Sequence, residues 1–210
     1  MGSVRMGPPR ELVLQLRDAC HTTHFIETGT HQGYTAHWAA TCFGQVLTVE
    51  YSQELHAAAI EKWAHLGNVN FLYGDSRKVL AQIVPDLKST AFFWLDAHWS
   101  GGPTYGQGDE CPLLDELRII TAAARPHVIL IDDARLFLSP PPPPHRPEQW
   151  PTLGDINDVL ALSAHALTTA IVDDVIVTVP PGAERVLNKY RQSENDQSCP
   201  PLHRTSASTV

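Results

Sequence analysis

The chain has 210 residues, 43% of them hydrophobic, which is enough for one domain with a well-buried core. Lysine and arginine total 15 against 23 aspartates and glutamates, giving a formal net charge of −8. This balance excludes the basic surface of a nucleic-acid binder or of a protein bound to anionic membranes. We therefore expect a small or neutral substrate, with no nucleic acid and no membrane as partner.

The cysteines and the N-terminal segment predict a cytoplasmic protein. Cys20, Cys42, Cys111 and Cys199 are widely scattered and lack the paired spacing of a zinc site or a disulfide framework, so we expect reduced thiols. Residues 1–20 have no apolar core of signal-peptide length, and no stretch elsewhere approaches the ~18 apolar residues that span a bilayer.

Five short segments are apolar nearly throughout and rich in β-branched or aromatic residues. Continuous apolarity indicates burial on both faces, as in parallel strands covered by helices. In chain order, these predicted strands are 24–28, 45–50, 69–73, 91–96 and 127–132.

Helical patterns alternate with these strands. Segment 52–66 has an apolar stripe, with Ser52 as its N-cap and Gly67 as its stop signal. Pro112 opens another helix. Repeats of this kind predict a doubly wound α/β sheet with helices on both faces.

The end of the chain breaks the parallel pattern. Segments 168–172 and 175–179 flank Asp173-Asp174, which we interpret as a hairpin turn. The fold class is therefore α/β, a Rossmann-like sheet of seven strands in which five parallel strands are followed by a C-terminal antiparallel hairpin.

We expect a single domain over residues 1–189 and a disordered tail over 190–210, which is polar and has no periodicity. Residues 139–151 include five consecutive prolines and form a semi-rigid loop. Phe137 and Trp150 bracket the run of prolines, a composition that suits a stiff flap over an aromatic or sugar-like substrate. A surface linker or a proline-motif ligand for another protein fits equally well.

The turn after the first strand runs from Glu27 to Thr35 and contains two glycines. Gly29 and Gly33 would let the backbone approach a ligand closely, and Glu27 could bind a cationic amine. The spacing is not that of a dinucleotide fingerprint. Glu50, at the end of the second strand, could accept both hydroxyls of a ribose or be a solvated strand-end acid.

Gly74-Asp75-Ser76 follows the third strand. Its acid and hydroxyl could bind an adenine amino group, form a helix N-cap, or do both.

Three acids end the fourth and fifth strands: Asp96, and the pair Asp132 and Asp133. Carboxylates forced together repel unless they are protonated or bridged by a cation, and hard oxygen ligands suit Mg²⁺. The alternative is that Asp132 or Asp133 caps the following loop while Asp96 pairs with a lysine or arginine.

The ordered set E-x-G-x-x-x-G-Y-T, VLTVE, GDS, FFWLDAHW and VILIDD resembles the catechol O-methyltransferase family, over roughly residues 24–138. Some sugar-modifying O-methyltransferases are similar. The resemblance implies S-adenosylmethionine and a divalent cation, Mg²⁺, as cofactors. It assigns the metal to Asp96, Asp132 and Asp133, and the cofactor to Glu27, Gly29, Thr30, Gly33, Thr35, Glu50, Tyr51, Asp75, Ser76, Asp96 and Trp99.

The reaction that this implies is methyl transfer to a hydroxyl of a small molecule such as a sugar diol or a catechol-like ring, with Asp96 and His98 as the catalytic residues. His98 is the local candidate for the general base because its ordinary pKa lies near working pH. The catechol enzymes carry a lysine three residues after the first metal aspartate, where this chain has Trp99, so the base stays open. Asp109 or Glu110 could supply it or cap a helix.

Two other functions stay open: a nicotinamide-dependent oxidoreductase, and a non-catalytic Rossmann-like module that binds a protein through its proline-rich loop. A homo-oligomer is also possible, because the N-terminal stripe of Leu12, Leu16 and Ala19 could pack on its own sheet or on a partner.

Overall fold

The structure is a computed structural model that describes residues 7–198 except 103, 105 and 107. Seven strands form one sheet, and each lies where the apolar segments predict it to within one residue at either end. They are β1 (His24–Thr28), β2 (Gln45–Glu50), β3 (Val69–Tyr73), β4 (Phe92–Leu95), β5 (Val128–Ile131), β6 (Thr168–Val172) and β7 (Val175–Val179).

The strand order β3-β2-β1-β4-β5-β7-β6 confirms the doubly wound, Rossmann-like sheet. β1 to β5 pair in parallel, and β7 pairs antiparallel with both β5 and β6. β6 therefore runs in the same direction as β1 to β5, and β7 alone is reversed. The order changes direction at β1 and β4, so their carboxyl ends flank the crevice in which such sheets bind ligands.

Helices connect the strands as the sequence predicts. They are α1 (Arg10–Ala19), α2 (Tyr34–Ala40), α3 (Gln53–Trp63), α4 (Ser76–Ile83), α5 (Leu113–Thr121), α6 (Arg135–Leu138), α7 (Leu153–Ala161) and α8 (Glu184–Ser198). Ser52 caps α3 as expected, because its hydroxyl accepts a hydrogen bond from the backbone N–H of Leu55 at 3.4 Å.

Helices cover both faces of the sheet because successive strand residues point to opposite sides. In β4, Phe92 and Trp94 face the core under α1, α2 and α8, whereas Phe93 and Leu95 face the core under α4, α5 and α7. All four side chains are buried. At roughly 2 kcal/mol for each large apolar side chain, these two cores hold the strand ends in place.

The predicted disordered tail is wrong over residues 190–198, because α8 continues to Ser198. Leu187 and Tyr190 of α8 are buried in the same core as Leu12 and Leu16 of α1. The tail composition is polar, but this apolar pair gives the helix a face to bury, and packing decides its extent. Residues 199–210 lie outside the described part of the chain.

The α1 stripe therefore packs within its own chain, with Ala19 exposed at its end. Cys20, Cys42 and Cys111 are free cysteines, and Cys199 lies outside the described residues. Among the helices that the structure describes, none is both long and apolar enough to cross a bilayer.

Candidate active site

A cavity of about 220 Å³ opens at the carboxyl ends of the parallel strands. One half is lined by the turns after β1, β2 and β3, through Gly29, His31, Val49, Glu50, Tyr51, Gly74 and Ser76. The other half is lined by the segments after β4 and β5, through Asp96, Ala97, His98, Ser100, Thr104, Asp132 and Asp133. Both predicted groups of functional residues thus meet at one cavity.

Gly29 is required by the turn after β1. It has a φ of +86°, and a Cβ atom there would lie 2.3 Å from the carbonyl oxygen of Asp96. Its backbone N–H donates to the carbonyl of Val49 at 2.9 Å, which ties the turn to β2. Only glycine lets β1, β2 and the β4 end approach this closely, as the E-x-G pattern predicts.

Glu27 is buried behind this turn and does not line the cavity. The hydroxyl of Thr48 donates to its carboxyl at 2.5 Å and lies 2.6 Å from the hydroxyl of Thr30. Burial raises the pKa of Glu27 to about 8, although hydrogen bonds from Thr48 and Thr35 act to lower it. Its carboxyl is therefore mostly protonated at neutral pH unless a positive charge binds nearby.

Glu50 lines the cavity and organises two turns. Its carboxylate accepts hydrogen bonds from the backbone N–H groups of His31 and Ser52, both at 2.8 Å. Each carboxylate oxygen has a second lone pair, so capacity for a ribose hydroxyl is left. Tyr51, which is 49% exposed, follows at the cavity rim.

Asp75 is the N-cap of α4, which is one of the two roles that the sequence predicts for it. Its carboxylate accepts from the backbone N–H of Arg77 and pairs with that guanidinium at 2.8 Å. Asp75 does not line the cavity, whereas Ser76 does. Trp99 is buried against His145, with ring centroids 5.5 Å apart, and does not line the cavity either.

Gly33 and Thr35 also lie behind the cavity wall. Gly33 has a φ of +73° and caps α2, and a Cβ there would lie 2.7 Å from the indole ring of Trp63. Trp63 donates from its indole N–H to the carbonyl of Gln32 at 2.8 Å. Of the two glycines in the pattern G-x-x-x-G, Gly29 therefore lines the cavity and Gly33 supports the turn on the side away from it.

Three acids and a histidine form the second half of the site. The Nε2 atom of His98 lies 3.3 Å from Asp96 Oδ1 and 3.0 Å from Asp133 Oδ2. Burial lowers the pKa of His98, but hydrogen bonds to Asp133 and Asp96 and their charges raise it to about 10. His98 therefore carries a proton in this arrangement and balances the carboxylates.

The two aspartates after β5 differ in environment. Burial raises the pKa of Asp132 to about 8, with the charges of Asp96 and Asp133 adding to the rise. Burial acts in the same direction on Asp133, but hydrogen bonding to His98 and the charges of His98 and Arg135 hold its pKa below the ordinary value. Arg135 bridges Asp133 to Asp174 in the β6–β7 turn.

The donor atoms of Asp96, His98 and Asp133 lie within 4.8 Å of one another and could hold a metal ion. Two ligands at right angles on Mg²⁺ lie about 3 Å apart, which matches the spacings around His98 Nε2. Asp132 lines the same cavity, but its Oδ1 accepts the backbone N–H of Asp133 at 2.8 Å. The donor set fits a divalent cation, with His98 beside the predicted acids.

Several residues of the site escaped the sequence analysis. His31 lines the cavity, and its backbone N–H, at a φ of +47°, donates to the Glu50 carboxylate. Arg135 and Asp174 give no local signal, because their contact joins residues 39 positions apart. Asp109 and Glu110 do not line the cavity.

Comparisons with known proteins agree on the fold. The chain matches no protein-family model and no curated protein. Among the solved structures that resemble it is a Klebsiella pneumoniae protein described as an O-methyltransferase, with 16% sequence identity and a TM-score of 0.59 over 86% of this chain and 83% of that one. Another is Podospora anserina methyltransferase PaMTH1 bound to S-adenosylhomocysteine, with 14% identity and a TM-score of 0.55 over 83% of this chain and 79% of that one. A third is CalS10 from Micromonospora echinaspora, an amino pentose methyltransferase bound to S-adenosylmethionine, with 12% identity and a TM-score of 0.52 over 80% of this chain and 88% of that one. The chain has the fold of these methyltransferases.

Proposed function

We propose that this protein is an S-adenosylmethionine-dependent O-methyltransferase that uses a divalent cation, Mg²⁺, to methylate a hydroxyl group of a small molecule. The observation that carries the proposal is the single cavity in which the turns after β1, β2 and β3 face the cluster of Asp96, His98, Asp132 and Asp133. A methyl donor held by the first half would lie beside an acceptor held by the second.

The first half suits the donor. Gly29 brings the backbone close to the cavity, Glu50 offers free lone pairs to a ribose, and Ser76 offers a hydroxyl toward the base. The protonated, buried Glu27 behind the turn would ionise when a cationic amine arrives, since a nearby positive charge favours the carboxylate. S-adenosylmethionine has such an amine and, when bound, supplies an electrophilic methyl group.

The second half suits a cation and an acceptor hydroxyl. Asp96, Asp132 and Asp133 would hold the cation, which supplies positive charge that lowers the pKa of a neighbouring hydroxyl. A cation among these aspartates would balance their charge in place of the His98 proton, so His98 would become neutral and its Nε2 could then take the hydroxyl proton. Asp96 belongs to the second half, but its backbone lies against Gly29 of the first, so it would orient the acceptor against the methyl group.

Two other functions explain the site less fully. A nicotinamide-dependent oxidoreductase would use Glu50 in the same way, but it has no use for the acid cluster after β5. A non-catalytic module that binds through the proline-rich loop has no need of a cavity lined by buried titratable groups.

The experiment is to incubate the protein with S-adenosylmethionine, Mg²⁺ and either 3,4-dihydroxybenzoate or a methyl glycoside, and to measure S-adenosylhomocysteine and methylated product by mass spectrometry. Both products are expected with one probe class, and chelation of the cation or His98→Ala should cut turnover strongly. Methylation that survives chelation would contradict the requirement for a cation. Unchanged turnover in His98→Ala would contradict the role of His98 as general base. Methylation of neither class would contradict this acceptor assignment.

A further inference from the structure

One buried carboxylate fixes the proline-rich loop, residues 139–151. Glu110 is 1% exposed, although it lies on the segment that leads to α5. Trp150 donates from its indole N–H to Glu110 Oε2 at 2.7 Å, and the backbone N–H of Arg146 donates to both carboxylate oxygens at 3.2 Å. The Nδ1 atom of His145 lies 3.3 Å from Oε2. All three partners belong to the loop.

The backbone of Glu110 is held from both sides as well. Its N–H donates to the side-chain oxygen of Gln149 at 3.1 Å, and its carbonyl accepts from the N–H of Trp99 at 2.7 Å. Glu110 therefore joins the loop to the residue that follows His98. Because each partner satisfies a group that would otherwise be buried without a hydrogen bond, the contacts support one another.

These hydrogen bonds place the Trp150 ring against the active site. Its centroid lies 5.1 Å from that of His98 and 5.8 Å from that of Phe137, and its side chain is buried. His98 is thus held by Asp96 and Asp133 at Nε2 and by the Trp150 ring beside it.

The geometry points to a positioning role. We propose that Glu110 and Trp150 form a clamp that orients His98 at the Asp96 and Asp133 carboxylates, and that the proline-rich loop is a fixed support behind His98 instead of a moving flap. The meaning of this clamp for catalysis rests on the proposed function, but the orientation of His98 is measurable without an acceptor.

The charge on Glu110 strengthens the clamp. Burial acts to raise the pKa of its carboxyl, but hydrogen bonds from Trp150, Arg146 and His145 outweigh it and hold the pKa below the ordinary value. Glu110 is therefore ionised and accepts hydrogen bonds that are stronger than those between neutral groups. Because Glu110 is buried against the loop and does not line the cavity, the structure does not favour it as the general base that the sequence allowed.

The test uses the full-length protein with labelled histidine, and follows the imidazole resonances by NMR at one pH. His98 is assigned from the signal lost in His98→Gln. Trp150→Phe keeps an aromatic ring but removes the donor to Glu110, and Glu110→Gln removes the charge. Both are expected to shift the His98 resonances. Because Trp150→Phe also changes the ring current at His98, the shift in Glu110→Gln is the one that tests the clamp.

Glu148→Gln is the matched control, since Glu148 is an exposed acid on the same loop, and it should leave His98 unshifted. If Glu110→Gln fails to fold, Glu110→Asp, which draws the carboxylate back from the Trp150 N–H, takes its place. Unchanged His98 resonances in folded Trp150→Phe would overturn the clamp, and a shift in that variant but not in folded Glu110→Gln would overturn the role of Glu110. S-adenosylmethionine titration of the same variants should give affinities within about twofold of wild type. A wild-type protein that binds none would contradict the proposed function and leave the clamp standing.

Discussion

At the residue scale, Gly29 shows how a sequence pattern becomes a requirement of the site. The space for its side chain is taken by the Asp96 carbonyl, and its φ is positive. The sequence predicted this glycine because a turn next to a ligand needs one. It could not predict that the close neighbour is Asp96, 67 positions later in the chain, because that contact depends on the strand order.

Gly29→Ala should lower the free energy of unfolding by more than about 2 kcal/mol, since both the left-handed backbone and the clash oppose it. Gly67→Ala is the control, because nothing lies within 4 Å of a Cβ there, and it should stay within about 0.5 kcal/mol of wild type. Urea unfolding followed by circular dichroism measures both. Equal stability of the two variants would show that the turn has room to adjust.

Glu116 is a second residue that sequence patterns did not single out. It lies on the buried face of α5, where a glutamate is uncommon. Burial raises its pKa to about 7, while the nearby hydroxyls of Ser76 and Thr28 oppose the rise. Glu116 thus lies near Ser76, and Ser76 lines the cavity.

The stability of the protein should depend on pH through Glu116. The folded state holds this proton up to about pH 7, whereas the unfolded chain releases it near pH 4.5. The stabilisation is therefore complete below pH 4.5 and is lost as pH rises through 7, a change of roughly 3 kcal/mol.

Glu116→Gln should flatten the fall in unfolding free energy between pH 5 and pH 8, measured by urea unfolding at each pH. Glu27 and Asp132 have raised pKa values too, so part of the slope should remain. Glu148→Gln should follow wild type. A slope that is the same in Glu116→Gln and wild type would contradict the assignment.

At the element scale, the strands were predictable and the ends of the helices less so. The strands β1, β4, β5 and β7 are buried on both faces, and their continuous apolarity is a local signal. α3 was predicted over 52–66 but ends at Trp63, and only Ala59 of its stripe is buried. The Trp63 ring instead packs against Gly33 in the turn after β1, a contact that periodicity alone does not reveal.

Trp63→Phe should weaken S-adenosylmethionine binding about fivefold to tenfold, because the variant lacks the N–H that holds the Gln32 carbonyl, a bond worth roughly 1 kcal/mol. Trp38→Phe, at another partly buried tryptophan on α2, is the control and should bind as wild type does. Calorimetry gives both affinities. If the two variants bind equally well, α3 does not support the turn.

At the scale of the whole molecule, the order of the strands creates the site. The cavity residues 29, 31, 50, 76, 96, 132 and 133 are distant in the sequence and meet because β1 to β5 lie side by side with parallel carboxyl ends. The sequence analysis predicted this meeting from the fold. It could not predict which side chains face the cavity and which stand behind it, since that depends on turn geometry and on long-range contacts such as that of Arg135 with Asp174.

The central claim is that the first half of the cavity binds S-adenosylmethionine. The most direct measurement is calorimetric titration of S-adenosylmethionine into the protein, with and without Mg²⁺, beside a titration of NADH. The account predicts saturable binding of S-adenosylmethionine, weakened in Glu50→Gln, and a heat of Mg²⁺ binding that is lost when Asp132→Ala and Asp133→Ala are combined. Binding of NADH with no binding of S-adenosylmethionine would contradict the account and favour an oxidoreductase.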